Sequence, residues 1–268
     1  MKILIGIPTL NGADRLRRAL ISVQEYTNFS DSDYSVDVIV SDDASDVHNL
    51  EWNKTWCHRF NMPMLMSEQR LGIPKQWNRL VRHVPDADVC VLVNDDVEVV
   101  ADWLNVLVFT LNMNPMVGMV GLRCETGVTA NNGSRRPHVD YHEARLLDGS
   151  GMLLSSGGAC FAFRRSDWVA VGGFDERYFC FYEELDFGIA LTKHGLYNVI
   201  AEYPVVYHMG GATIGANSNA SAVLLDSREK FVEKHEGMTL DKMRADLGQR
   251  PRQEFVEWNS QWKNWRLP

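Results

Sequence analysis

The chain has 268 residues, 45% hydrophobic and 23% charged, enough for one large α/β domain or two small ones and too apolar for extensive disorder. Its net charge of −8 is not that of a broad basic field, which weakens the case for a nucleic-acid partner; an anionic ligand would need a bound cation or a few placed Arg and Lys. Five cysteines without a CxxC pair speak against a disulfide framework or a zinc site, and no run reaches the ~20 apolar residues that span a bilayer.

Residues 3–7 read as a short buried strand that ends at Pro8-Thr9-Leu10-Asn11-Gly12. Leu16, Leu20 and Val23 follow at helical spacing, with Asn11 or Asp14 as the cap. A second strand, 36–40, ends in Ser41-Asp42-Asp43, and a helical stretch through Leu50, Trp56 and Phe60 leads to a third strand, 62–66. Pro74 stands where a first helical turn tolerates it, and Trp77, Leu80, Val81 and Val84 supply an apolar face. A fourth strand, 89–93, ends in Asn94-Asp95-Asp96. Strands alternating with helices predict a parallel sheet, and polar residues gather at its carboxyl edge, where open α/β sheets bind ligands. Beyond Val97 the pattern is mixed: a helix over 103–111, a strand over 117–122, a polar loop over 126–138, and an apolar stretch, 152–163, broken by Gly157-Gly158. A helix over 183–194, short strands at 198–201 and 205–207, a loop over 210–221 and a helical C-terminus carrying Trp258, Trp262 and Trp265 complete the chain.

Four constellations carry candidate chemistry, and each has a plainer explanation. Asp42-Asp43 can accept hydrogen bonds from a base or a ribose, but alone reads better as a solvated turn and helix cap. Asn94-Asp95-Asp96 ends a wholly apolar strand. Because both carboxylate pairs end parallel strands and share one edge, a divalent cation with a diphosphate is the better reading there. Glu183, Glu184 and Asp186 place three carboxylates in four residues beside Phe181 and Tyr182. They fit a general base with a raised pKa and, equally, an acidic first helical turn. His208 ends a short strand and could ligate a metal, although a lone His is more often structural.

Taken in order, these segments resemble the family 2 inverting glycosyltransferases with the GT-A fold, especially rhamnosyltransferase-like members. The pattern runs from Ile5-Gly6-Ile7-Pro8-Thr9-Leu10-Asn11-Gly12 through Val38-Ile39-Val40-Ser41-Asp42-Asp43 and Arg70-Leu71-Gly72-Ile73-Pro74 to Val93-Asn94-Asp95-Asp96. It continues at Gly157-Gly158-Ala159, Gly172-Gly173-Phe174-Asp175-Glu176, Glu183-Glu184-Leu185-Asp186-Phe187 and His208. The resemblance implies a Rossmann-like, mostly parallel sheet flanked by helices. It implies that Pro8, Thr9 and Asn11 line a nucleotide pocket, with Asp43 at the base, Arg70 or Lys75 nearby and Asp95 by the ribose. Asp96 and His208 would hold Mn²⁺ or Mg²⁺, and Glu184 matches the catalytic carboxylate. Glu184 and Asp186 point about 200° apart on a helix, so only one can face the sugar and the other would orient a neighbour. Glu184 stands where Asp is usual, Asn94 replaces the first Asp of a DxD, and the basic residue often found after the acidic motif is missing, with Ile189-Ala190 in its place.

The expected organisation is a GT-A domain over 1–220, with a nucleotide-sugar half at 1–98 and an acceptor and catalytic half at 99–220, followed by a helical extension at 221–268. The expected function is metal-dependent, inverting transfer from a nucleoside-diphosphate sugar, by family default a UDP-sugar, to a hydroxyl. The acceptor class stays open among a glycan, a lipid-linked sugar, a small molecule, a protein and a modified nucleic-acid base. A nucleotidyltransferase is disfavoured because no Gly-rich basic loop follows the first strand, and a non-catalytic sugar- or nucleotide-binding module because Asp96, Glu184 and His208 occur together. The absence of a signal-like run or membrane span predicts a cytoplasmic protein, at most peripheral to a membrane, and the aromatic C-terminal helix is a candidate homo-oligomer contact.

Overall fold

A computed structural model describes residues 1–129, 135–139, 157–210 and 220–235. Strands β1 (Lys2–Thr9), β2 (Ser35–Asp42), β3 (Met64–Met66) and β4 (Val89–Val93) alternate with helices α1 (Ala13–Tyr26), α2 (Val47–Arg59) and α3 (Ile73–His83). Then come β5 (Val97–Glu98), α4 (Trp103–Met113), β6 (Val117–Thr129), β7 (Arg135–Val139), β8 (Cys160–Arg164), α5 (Arg165–Val171), α6 (Glu183–Lys193), β9 (Tyr197–His208) and α7 (Ala220–Lys234).

The strands form one sheet in the order β3-β2-β1-β4-β8-β6-β9-β5, with β7 paired to β6. The first four are parallel, as the alternation predicts. From β4 onward the sheet is mixed: β8 is antiparallel to both β4 and β6, β9 is parallel to β6, and β5 is antiparallel to β9. Pairing of Thr9 with Asp42 sets the carboxyl ends of β1 and β2 level, so the polar residues after each strand share one edge.

Two cores flank the sheet, and the period-2 alternation of β1 assigns its residues to them. Ile3, Ile5 and Ile7 pack with Leu16, Leu20, Trp103 and Leu107 from α1 and α4. Leu4 faces the other side, where Trp77, Leu80, Phe161, Phe163, Trp168, Phe174 and Phe187 gather under α3, α5 and α6. The Phe174 and Phe187 rings lie 4.4 Å apart, which seats α6 against the sheet.

The second half departs from the sequence reading. The polar loop expected over 126–138 contributes strand instead, since Glu125 to Thr129 of β6 pair with Val139 to Arg135 of β7. Backbone hydrogen bonds suffice for such pairing without apolar alternation. The two short strands expected around Pro204 are one, β9. Residues 202–205 bulge opposite Arg123 of β6, which carries Pro204 past the ladder. β5 and α5 were not anticipated. Of the loop expected over 210–221, Ala220 and Ser221 open α7 instead, whereas residues 211–219, like Trp258, Trp262 and Trp265, lie outside the described residues.

Candidate active site

Strands β1, β2 and β4 deliver polar groups to the carboxyl edge. After β1 the chain turns at Asn11 in a left-handed conformation (φ 48°). The Asn11 N–H donates to Ser45 Oγ (2.9 Å) and its Oδ1 accepts from the Asp46 N–H (2.8 Å), tying the turns after β1 and β2 together. Pro8 and Thr9 are buried and Asn11 is exposed at the rim. Asp42 is fully buried, accepting from the Ser45 N–H and from Asn53 Nδ2. Asp43 Oδ1 accepts from the Leu71 N–H (2.6 Å) and Gln76 Nε2 (2.7 Å), and Oδ2 from the Gly72 N–H (3.1 Å). Asp43 thus fixes the loop that carries Arg70. The exposed Arg70 guanidinium lies 5.1 Å from the centre of the Phe179 ring, while Lys75 is exposed on the first turn of α3.

After β4 the two aspartates part. Asp95 turns inward: Thr9 Oγ1 donates to it at 2.6 Å and Arg15 approaches at 3.4 Å. Burial pushes the Asp95 carboxyl up to about 6, against the pull of the Arg15 charge and the Thr9 hydroxyl. A Cβ on Gly12 would lie 2.1 Å from Asp95 Oδ2, so only glycine admits this packing. Asp96 turns toward β9, with Oδ1 3.2 Å from His208 Nε2. The Met209 N–H donates to the Asp96 carbonyl at 2.9 Å, and Val97 pairs with His208. Burial raises the Asp96 pKa, but the His208 hydrogen bond and charge outweigh it and hold the carboxyl below its ordinary value. A carboxylate oxygen and an imidazole nitrogen this close suit Mn²⁺, whereas Mg²⁺ favours oxygen ligands. Among the described residues no three His, Cys, Asp or Glu side chains converge, so the remaining ligands of such an ion would have to be phosphate oxygens and water.

The acidic segment reaches the same edge from α6. Phe181 and Tyr182, which precede it, both have left-handed backbones (φ 70° and 68°), a conformation that costs about 1–3 kcal/mol per non-glycine residue and clusters at functional sites. Glu184 is half-buried against Gly158, where an added Cβ would lie 3.3 Å from its Cγ. The neighbouring Ala159 carbonyl accepts from the Asn94 N–H at 2.9 Å, linking Glu184 to the turn that bears Asp95 and Asp96. Burial raises the Glu184 pKa, partly countered by hydrogen bonds from its own and the Leu185 backbone. Glu183 is 5% exposed, and its Oε2 has no hydrogen-bond partner. Burial first, and the Glu184 charge second, push its carboxyl well above the usual range. Asp186 points elsewhere: Lys234 Nζ lies 2.6 Å from Oδ2 and His235 Nε2 2.9 Å from Oδ1.

The sequence-predicted residues therefore divide. Pro8, Thr9, Asn11, Asp95, Asp96, His208 and Glu184 surround the ends of β1, β4 and β9. Asp43, Arg70 and Lys75 form the flank near α3, and Asp186 lies behind α6. Sequence reasoning missed Arg15 and Gln76, which brace Asp95 and Asp43 from positions 80 and 33 residues away. It also missed Lys234 and His235. No local spacing signals such distant pairs.

A family model described as glycosyl transferase family 2 matches residues 4–169, more than half of the chain. The N-acetylglucosaminyl-diphospho-decaprenol L-rhamnosyltransferase of Mycobacterium tuberculosis, in strains CDC 1551 / Oshkosh and ATCC 25618 / H37Rv, is 36% identical over 74 residues, 27% of this chain. The match spans 24% of that relative's length. Among solved structures, the mannosyltransferase PcManGT from Pyrobaculum calidifontis, in complex with GDP-Man and Mn²⁺, superposes with a TM-score of 0.60 at 19% identity, over 77% of this chain and 56% of that one. Residues 1–349 of S. aureus TarS superpose with a TM-score of 0.60 at 14% identity, over 79% and 61%. At these identities the structures speak for the fold. With the family match running through β1, β2 and β4 and 77% of the chain superposing on a mannosyltransferase, the chain belongs to glycosyl transferase family 2 and carries the GT-A fold.

Proposed function

We propose that the protein transfers a sugar from a nucleoside-diphosphate sugar, with UDP the first choice, to a hydroxyl acceptor, with inversion at the anomeric carbon. The observation that carries this reading is the convergence on one sheet edge of the Asp96–His208 pair and the half-buried Glu184. The solved neighbours give it context. PcManGT was crystallised with GDP-Man and Mn²⁺, GalNAc-T7 with UDP, GalNAc and Mn²⁺, and TarS with UDP and with UDP-GlcNAc.

In this reading Pro8, Thr9 and Asn11 line the nucleotide site. Asp43 shapes the base side by holding the loop of Arg70, its Oδ2 retaining a lone pair for the base. Asp95, braced by Thr9 and Arg15, stands by the ribose, and Lys75 adds positive charge to the same flank. Asp96 and His208 would hold a divalent cation, preferentially Mn²⁺, which when bound would neutralise the diphosphate. Glu184 takes the proton of the acceptor hydroxyl. The oxygen attacks the anomeric carbon opposite the diphosphate, the bond to the diphosphate oxygen breaks with its electron pair, and the nucleoside diphosphate departs. The raised Glu184 pKa strengthens it as a base at neutral pH.

A thermal-shift screen of UDP-, GDP- and dTDP-sugars, with Mn²⁺ and with EDTA, tests this reading. It predicts that one nucleotide class stabilises the protein and that Mn²⁺ enlarges the shift. No shift with any nucleotide would exclude it.

A further inference from the structure

We propose that helix α7 is a positioning element for Glu184, acting through Ser227, Phe231, Lys234 and His235. The proposal rests on Glu184 being the base. These four residues, spaced i, i+4, i+7 and i+8, occupy one face of the α7 segment. Each contacts a residue that flanks Glu183-Glu184 in the chain. Ser227 Oγ donates to the Cys180 carbonyl (2.7 Å) at the start of the strained turn. The buried Phe231 ring lies 4.9 Å from the Tyr182 ring, on the second left-handed residue. Lys234 Nζ reaches both Asp186 (2.6 Å) and Asp175 (2.8 Å). His235 Nδ1 lies 3.5 Å from Lys193 Nζ, a cation that can only donate, so the Nε2–H is the donor to Asp186 at 2.9 Å.

The turn requires such a clamp. Two successive left-handed residues do not hold themselves, and they set the direction in which α6 departs. The Phe179 carbonyl is anchored on the other flank by the Ile73 N–H at 2.8 Å. With Phe179 and Cys180 held from opposite sides and Asp186 held below, the first turn of α6 has one orientation, and Glu184 projects from it toward Gly158. Asp186 is thereby a positioning residue. Asp96, His208 and Asp43 sit on other elements and make none of these contacts, while Arg70 touches the turn at Phe179, on its α3 flank, so α7 acts chiefly on turnover rather than on donor affinity.

Ser227→Ala and Lys234→Met are the test variants, Lys234→Arg the conservative rescue and Glu184→Gln the reference. Nucleoside diphosphate release from the donor found in the screen gives turnover, calorimetry with that nucleoside diphosphate and Mn²⁺ gives affinity, and hydrogen exchange follows the amides of 180–186. The expected result is a fall in turnover of about 10- to 100-fold in Ser227→Ala and Lys234→Met, the scale of a ~1 Å misplacement. Nucleotide affinity should stay within twofold, exchange at 180–186 should quicken, and Lys234→Arg should recover most of the turnover. Full turnover in both variants while Glu184→Gln is inactive overturns the clamp and leaves the transfer reading standing. A parallel loss of affinity and turnover overturns it as a positioning device. A wild-type protein without turnover, or an active Glu184→Gln, removes Glu184 as the base and the proposal with it.

Discussion

At the head of α6, burial raises the Glu184 pKa from its ordinary value, so its basic form fills at a higher pH than that of a free glutamate. Turnover should therefore climb with pH along a limb displaced upward from a free glutamate, and Glu184→Gln should lose that limb and about 10²–10⁴ in rate while still binding nucleotide. Initial rates across pH for the two proteins check this. Glu183 makes a separate prediction. Its folded pKa lies above the unfolded value, so the folded state binds the proton more tightly and stability falls as pH rises from the unfolded carboxylate range through the raised one. Glu183→Gln copies the protonated form and should stabilise the protein by about 1–3 kcal/mol at neutral pH, the gain vanishing in acid. Urea melts at the two pH values measure it. Both carboxylates were visible in the sequence as an acidic run; what it could not show is that Glu183 is buried with its Oε2 left without a hydrogen-bond partner, because burial is decided by how α6 packs on the sheet.

Among the elements, the parallel half was legible because its strands are short and mainly apolar, wholly so in 89–93, and because apolar residues recur at helical spacing between them, as in Trp77, Leu80 and Val81. The antiparallel additions were not. β6 and β7 pair through polar residues, and Pro204 hides the continuity of β9 behind a bulge. The clamp from α7 spans 47 residues between Ser227 and Cys180, a closure that local patterns do not encode. Where α3 begins, the requirement is local and sharp. Gly72 has φ 86°, and a Cβ there would lie 2.4 Å from the Phe179 carbonyl oxygen. Gly72→Ala should destabilise the protein by about 1–3 kcal/mol or more, and should also loosen the Asp43 contacts with Leu71 and Gly72. Thermal melts with and without nucleotide check it, the variant showing the smaller ligand-induced shift.

For the molecule as a whole, the proposed reaction asks an acidic chain to handle an anionic diphosphate leaving group, and the fold would answer locally rather than with net charge. The ends of β1, β4 and β9 bring Thr9, Arg15, Asp95, Asp96 and His208 together at one edge, while the second core fixes α6 and Glu184 beside them. No helix among the described residues is long and apolar enough to cross a membrane. In the proposed reaction a nucleoside diphosphate binds this edge with a divalent cation held by Asp96 and His208. Calorimetric titration of UDP and of GDP into the wild type and Asp96→Asn, each with Mn²⁺ and with EDTA, tests it most directly. The expected result is Mn²⁺-dependent binding of one nucleotide to the wild type, with that dependence lost in Asp96→Asn. Equal affinity in Mn²⁺ and in EDTA, or an unchanged Mn²⁺ effect in Asp96→Asn, would contradict it.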